Sequence, residues 1–253
     1  MHRETVTALR ALPKHIAQAR YDSVVTSLPI VLLPGLDGTG DLFESFAAAA
    51  PPHLRPVVVP LPPVSRYDRL LDHVRQELPR EGCFAVLGES FSGPLAIAVA
   101  RVEPRAVAVI LCNSFVTPPV SSLLRFLPWS LLFVVPPPRW VIRRYFVGVA
   151  ASYQLLESVR AAVAKTPRAI LAARMRAVFS LPFQREPSAI STPLLFLSSS
   201  GDDLVKANPV AIRRVASSVT CRTLAGPHLL LQAAPELAWA EISAFLNSRL
   251  TTR

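Results

Sequence analysis

The chain has 253 residues, 51% of them apolar, and a formal net charge of +10. That length suits one core with one inserted subdomain, and the apolar share is enough to bury a sizeable interior. Three cysteines without a Cys-x-x-Cys spacing exclude a zinc ribbon and thioredoxin-type chemistry. The most apolar stretch, 123–135, is interrupted by Arg125 and Pro128 and falls short of the roughly 20 residues a membrane-spanning helix needs.

From the N-terminus, residues 1–20 are basic and lack a continuous apolar segment. They do not read as a signal peptide, so a cytoplasmic location is expected. Residues 29–34 form an apolar strand, followed by a glycine turn over 35–40. A helix is expected over 41–50, with Asp41 and Glu44 as a capping pair. A strand follows at 56–60, then an amphipathic helix over 67–78 with Leu70, Leu71, Val74 and Leu78 on one face. A strand at 83–88, a helix at 92–102 and a strand at 107–112 complete the first half. The alternation then breaks. Residues 117–192 hold many prolines and several helical pieces, with helix starts at Ser152 and Thr166-Pro167, but no clear strand. Regularity returns with a strand at 193–197, a helix at 208–219, a strand at 220–224 and a last helix at 235–250.

Such alternation predicts a mostly parallel sheet flanked by helices. The expected organisation is an N-terminal extension (1–27), an α/β core (28–116 and 193–253) and a helical cap (117–192) over the ligand-binding edge of the sheet. Cys83, Cys112 and Cys221 fall in or beside strands and are expected to be buried thiols of a reducing compartment. The segment 117–192 carries ten basic residues against Glu157 and Glu186, a local excess of eight positive charges. Charge alone would allow nucleic-acid binding, but no zinc finger, RNP-like strand or GxxG clamp accompanies it, and none is expected.

Gly88-Glu89-Ser90-Phe91-Ser92-Gly93 stands at a strand-to-helix joint. A serine nucleophile on a sharp turn needs small residues two places before and after it, here Gly88 and Ser92. Of the five histidines, only His228 follows a late strand, the place expected of the base. The acid belongs after the preceding strand, where Asp202 and Asp203 adjoin; Asp202 leads an Asp-x-x-Val pattern and is preferred. The turn Leu33-Pro-Gly-Leu-Asp-Gly-Thr-Gly40 presents backbone amides, and the N–H groups of Leu36 and Phe91 are assigned to the oxyanion. It is neither of the common nucleotide-binding glycine patterns.

These three strings, the last being Gly226-Pro-His228, resemble the small bacterial α/β-fold serine hydrolases over roughly 28–250. They are also similar to the hydrolase-like part of plant phytyl ester synthase-type acyltransferases. The resemblance implies the α/β-hydrolase fold with an inserted helical cap, a Ser90–Asp202–His228 triad and the Leu36 and Phe91 oxyanion amides. It implies cleavage of an ester or thioester without metal or organic cofactor. Pro34 replaces the histidine often found before the oxyanion glycine. An acyltransferase using an alcohol acceptor, and a non-catalytic ligand-binding protein on the same fold, remain the alternatives. The expected partner is a small ester with an apolar acyl group. Trp129 and Trp140 of the cap are expected above Ser90, and cap arginines are expected to contact an anionic substrate or a membrane surface.

Overall fold

The computed structural model describes residues 27–118, 123, 126–135, 137–181, 189–206 and 208–250. The N-terminal extension, except Ser27, and Arg125, Arg185 and Glu186 lie outside them.

Six strands make one sheet: β1 (Leu28–Leu33), β2 (Leu54–Val58), β3 (Phe84–Glu89), β4 (Ala106–Cys112), β5 (Leu194–Ser199) and β6 (Val219–Leu224). All neighbours are parallel, in the order β2-β1-β3-β4-β5-β6. The helices are α1 (Glu44–Ala48), α2 (Tyr67–Glu77), α3 (Gly93–Val102), α4 (Trp129–Leu132), α5 (Arg139–Ile142), α6 (Tyr153–Lys165), α7 (Arg168–Phe179), α8 (Pro209–Val215), α9 (Leu230–Ala233) and α10 (Pro235–Leu250). A 3-10 turn (Asp41–Phe43) leads into α1, and a π-helical turn (Arg143–Val147) follows α5.

Both faces of the sheet are covered, which is why its strands read as continuous apolar runs. Alternate residues serve opposite cores. Val31, Leu33, Val86 and Phe196 join α2, α3, α7 and α8 on one face. Ile30, Leu32, Leu87 and Leu197 join α1, α9 and α10 on the other. There Trp239 stacks on Phe46 at 4.3 Å and donates from Nε1 to the Phe46 carbonyl at 2.7 Å. Each such side chain contributes about 1.5–3 kcal/mol by leaving water. The chain runs from β1 outward to β2, then back across to β3. The connections leaving β1 and β3 therefore diverge at a topological switch point, where a parallel sheet opens a crevice.

Some expectations are corrected. The helix expected at 41–50 is shorter, and no side-chain cap forms: the Asp41 carboxylate meets Lys165 at 2.6 Å instead. The second strand starts two residues early, because its register on β1 begins at Leu54 opposite Leu28. The helix expected at 208–219 stops at Val215, since Ala216 is extended and bridges to Ile190. Of the thiols only Cys112 is buried. Cys83 precedes its strand and is exposed, and Cys221 lies half-buried on the edge strand β6.

The segment between β4 and β5 folds as helices among its described residues. Ser152 caps α6 by accepting from the Leu155 amide at 3.2 Å, and Pro167 precedes α7. Apolar side chains of the segment pack on the core. Trp129 and Phe179 stack at 5.4 Å against the cluster holding Leu36, Phe91 and Phe115. Ile142, Val147, Leu156 and Val159 close around Leu229.

Candidate active site

The turn from β3 into α3 is tight. Ser90 sits at φ 48°, a left-handed conformation that costs a non-glycine residue free energy and is found at functional sites. A side chain on Gly88 would run into the Ser92 carbonyl and come within 2.9 Å of Ala96, so strand and helix approach only because residue 88 has no Cβ. Ser92 is fully buried, and its hydroxyl donates to the Pro34 carbonyl. A serine in this small-residue position thus ties the elbow to the glycine turn. The Ser114 hydroxyl donates to the Ser90 carbonyl from the end of β4.

Three separated residues meet in one hydrogen-bonded chain. His228 Nε2 lies 2.9 Å from Ser90 Oγ, and its Nδ1 lies 2.8 Å from Asp202 Oδ2. His228 and Asp202 are buried, at 4% and 6% exposure, so the pair is shielded from competing water. The other Asp202 oxygen, Oδ1, accepts from the amides of Leu204 (2.8 Å) and Val205 (2.9 Å), which fixes the carboxylate plane. Asp203 points elsewhere, to Arg144 at 2.5 Å and Lys206 at 3.0 Å. Those two cations, Arg144 first, hold its carboxyl below the usual aspartate range.

The glycine turn runs alongside. A Cβ on Gly35 would lie 3.9 Å from that of Ser90. The turn is held by its carbonyls. Arg174, 1% exposed, donates to Leu36 (2.8 Å), Asp37 (2.9 Å), Pro62 (2.8 Å) and Val64 (3.1 Å). Thr166 also donates to the Asp37 carbonyl, at 2.7 Å. The Phe91 carbonyl accepts from Tyr67 Oη at 2.9 Å, and the two rings stack at 5.0 Å. Burial pushes the Tyr67 phenol up, so it stays protonated and can donate.

Glu89, between Gly88 and Ser90, is buried at 2% exposure. Its Oε2 accepts from Gln232 Nε2 at 3.3 Å, while Oε1 has no hydrogen-bond partner among the described residues. Burial first, and then the charge of Asp37, raise its pKa from 4.5 to about 8 against the opposing Gln232 contact. Folded protein therefore keeps this proton up to about pH 8, whereas the unfolded chain loses it above about pH 4.5. The associated stability is full below that lower value and drains away as pH rises to the upper one. Each unit of the interval is worth at most about 1.4 kcal/mol. Glu89→Gln should accordingly gain in Tm over the wild type as pH goes from 5 to 8. Parallel Tm curves for the two proteins would contradict a protonated Glu89.

Sequence reasoning missed Arg174, Tyr67 and Asn113. Asn113, at φ 42°, directly follows β4 and links the loops that carry Asp202 and His228. Its Nδ2 donates to Ser199 Oγ (2.7 Å) and to the His228 carbonyl (2.6 Å), and its Oδ1 accepts from the Ser199 amide (2.7 Å). An asparagine directly after a buried strand, in a position where asparagine tolerates positive φ, was the available signal.

The aromatic expectation is corrected in part. Trp140 is 67% exposed, and Leu131, Val135 and Val149 are similarly open. Phe146 instead meets the His228 ring edge-on at 6.1 Å. A cavity of about 1050 Å³ opens between the α6 side of the insertion and the core, lined among others by Leu42, Val147, Leu155, Pro227 and Gln232. It borders the histidine loop, but Ser90 and His228 are not among its walls. No described helix is long and apolar enough to cross a membrane.

No family model matches the chain, and no curated protein matches it. Solved structures do. An α/β-hydrolase fold protein from Chitinophaga pinensis superposes with a TM-score of 0.67 at 14% identity, over 89% of this chain and 91% of that one. A thermophilic esterase from Thermogutta terrifontis gives 0.69 at 18% identity, over 89% and 91%. The type II thioesterase BorB of the borrelidin biosynthetic cluster gives 0.64 at 19% identity, over 87% and 92%.

Proposed function

Starting from the α/β-hydrolase fold that this chain has, we propose that it is a serine hydrolase that cleaves a carboxylic ester or thioester through an acyl-enzyme on Ser90. The observation that carries this reading is the buried Asp202–His228–Ser90 hydrogen-bond chain ending on a strained serine.

With Asp202 accepting at Nδ1, the imidazole proton belongs there, and Nε2 is left as the acceptor. His228 takes the Ser90 proton as Oγ bonds to the substrate carbonyl carbon. Negative charge gathers on the carbonyl oxygen, where the Leu36 and Phe91 amides stabilise it. His228 then returns the proton to the departing alkoxide or thiolate as its bond to the acyl carbon breaks. Water, deprotonated by His228, attacks the acyl-enzyme, and the acid leaves as Ser90 regains its proton.

The same proposal includes a cap (117–192) over a core (28–116 and 193–253), preference for an apolar acyl group and a cytoplasmic setting. The apolar cluster of Leu36, Phe91, Phe115, Trp129 and Phe179 supports the acyl preference, since it links the cap to both oxyanion residues. Three free thiols suit a reducing compartment. Exposed Leu131, Val135 and Trp140, close in sequence to Arg139 and Arg143, support contact with a membrane surface or an anionic substrate.

The test is turnover of p-nitrophenyl esters and matching acyl thioesters of graded chain length, with fluorophosphonate labelling alongside. Labelling at Ser90 and faster turnover of longer acyl chains than of acetyl are expected. Absence of labelling together with no turnover above background would sink the proposal. Raising salt from about 10 to about 150 mM shortens the Debye length from about 30 to about 8 Å. An anionic ester should then lose kcat/KM while a neutral ester holds; equal responses would remove the arginines from substrate capture.

A further inference from the structure

Arg174 belongs to the helical insertion, yet its guanidinium is among the most deeply buried groups in the protein. It uses four of its five N–H donors on four backbone carbonyls of the core, those of Leu36, Asp37, Pro62 and Val64. No described carboxylate forms an ion pair with it, so the carbonyl dipoles solvate the charge, with Asp37 assisting at longer range. Its guanidinium carbon also stands 5.6 Å over the Phe91 ring. One side chain therefore touches both residues whose amides would face the oxyanion. It holds Leu36 by its carbonyl and Phe91 by its ring.

Gly38 is the counterpart of this arrangement. Its φ is +74°, and a Cβ there would overlap Arg174 Nη1 and lie 2.9 Å from Cζ. The glycine thus leaves room for the guanidinium as well as turning the chain. Thr166, two residues before the start of α7, adds a second donor to the Asp37 carbonyl.

We infer that Arg174 is a positioning residue for the oxyanion site. By pinning the carbonyls of Leu36 and Asp37, it fixes the peptide planes on either side of Asp37 and with them the direction of the preceding Leu36 N–H. An oxyanion donor is effective when it is already aimed before charge develops, because no free energy is then spent on turning it. This inference rests on the serine-hydrolase reading above and adds the source of that preorganisation, a cation supplied by the insertion rather than by the loop itself.

The expected signature is kinetic. Arg174→Lys keeps the charge but replaces a planar fork with a point donor, and Arg174→Met removes the charge at similar length. Gly38→Ala leaves the arginine present but displaces it. Loss of a whole oxyanion donor costs about 10²–10³ in kcat. Loss of its alignment should cost about 10- to 100-fold in kcat for all three variants, with KM changed by less than about threefold. Activity is expressed per fluorophosphonate-titrated active site, so a reduced folded fraction does not count. A trifluoromethyl ketone forms a tetrahedral adduct whose oxygen occupies the oxyanion position, so its Ki should rise in proportion to the lost kcat. Arg174→Lys should recover part of what Arg174→Met loses.

If kcat per titrated site and the ketone Ki match wild type while Tm falls, Arg174 only holds the fold together and the inference is overturned. Should Arg174→Met not fold, Gly38→Ala and Arg174→Lys give the same decision. A wild-type protein that neither titrates nor turns over any ester would overturn the serine-hydrolase reading, and this inference with it.

Discussion

Ser90→Ala is expected to reduce turnover by about 10⁴- to 10⁶-fold, the range seen when a triad residue is removed. Neighbouring serines should not compensate. The Ser92 hydroxyl is buried and committed to the Pro34 carbonyl, and that of Ser114 to the Ser90 carbonyl. Alanine keeps the Cβ that already tolerates φ 48°, so the backbone strain is unchanged and the fold should survive. The only described side-chain bond lost is the 2.9 Å contact to His228 Nε2. Tm should therefore shift by no more than a few degrees, since one hydrogen bond is worth about 1 kcal/mol net. Fluorophosphonate should label the wild type and leave the mutant unlabelled. Equal labelling of both proteins would remove Ser90 from the chemistry.

The strand-and-helix frame was legible because it rests on local rules. Each central strand is buried on both faces, so its apolar residues run without interruption, and α2 shows its apolar stripe at helical spacing. Gly88 and Ser90 were legible for a similar reason: a tight strand-to-helix turn tolerates few residue types. Arg174 was not. It contacts carbonyls more than a hundred positions away, and in sequence it resembles Arg168 and Arg176 on the same helix. The clue was its spacing, since it shares the buried face of α7 with Leu171 and Val178. Part of the charge pairing was illegible for a related reason. Residues 117–192 look strongly basic when counted alone, but Asp41 and Asp203 of the surrounding core come across to pair with Lys165 and Arg144. Trp140 shows the limit of the opposite argument: a large apolar side chain does not have to be inside.

Asp202→Asn should cost about 10⁴ in kcat, and Asp203→Asn less than about threefold, although the two residues adjoin. The difference follows from where each carboxylate points. Asp202 Oδ1 accepts from the Leu204 and Val205 amides, and only an oxygen can remain there. In the asparagine variant the amide nitrogen must then occupy the other position, facing His228 Nδ1. An N–H donor there favours the tautomer with its proton on Nε2, and that imidazole cannot accept a proton from Ser90. The wrong tautomer in preserved geometry is what costs about 10⁴ in the serine-protease template. Asp203 instead makes exposed pairs with Arg144 and Lys206, which solvent replaces readily. Its loss should loosen the link between the acid loop and the insertion without disturbing His228. Steady-state rates per titrated Ser90 decide the matter, with Tm as the check that both variants fold. If Asp203→Asn proved the deeper lesion, the acid would be assigned to the wrong one of the two residues.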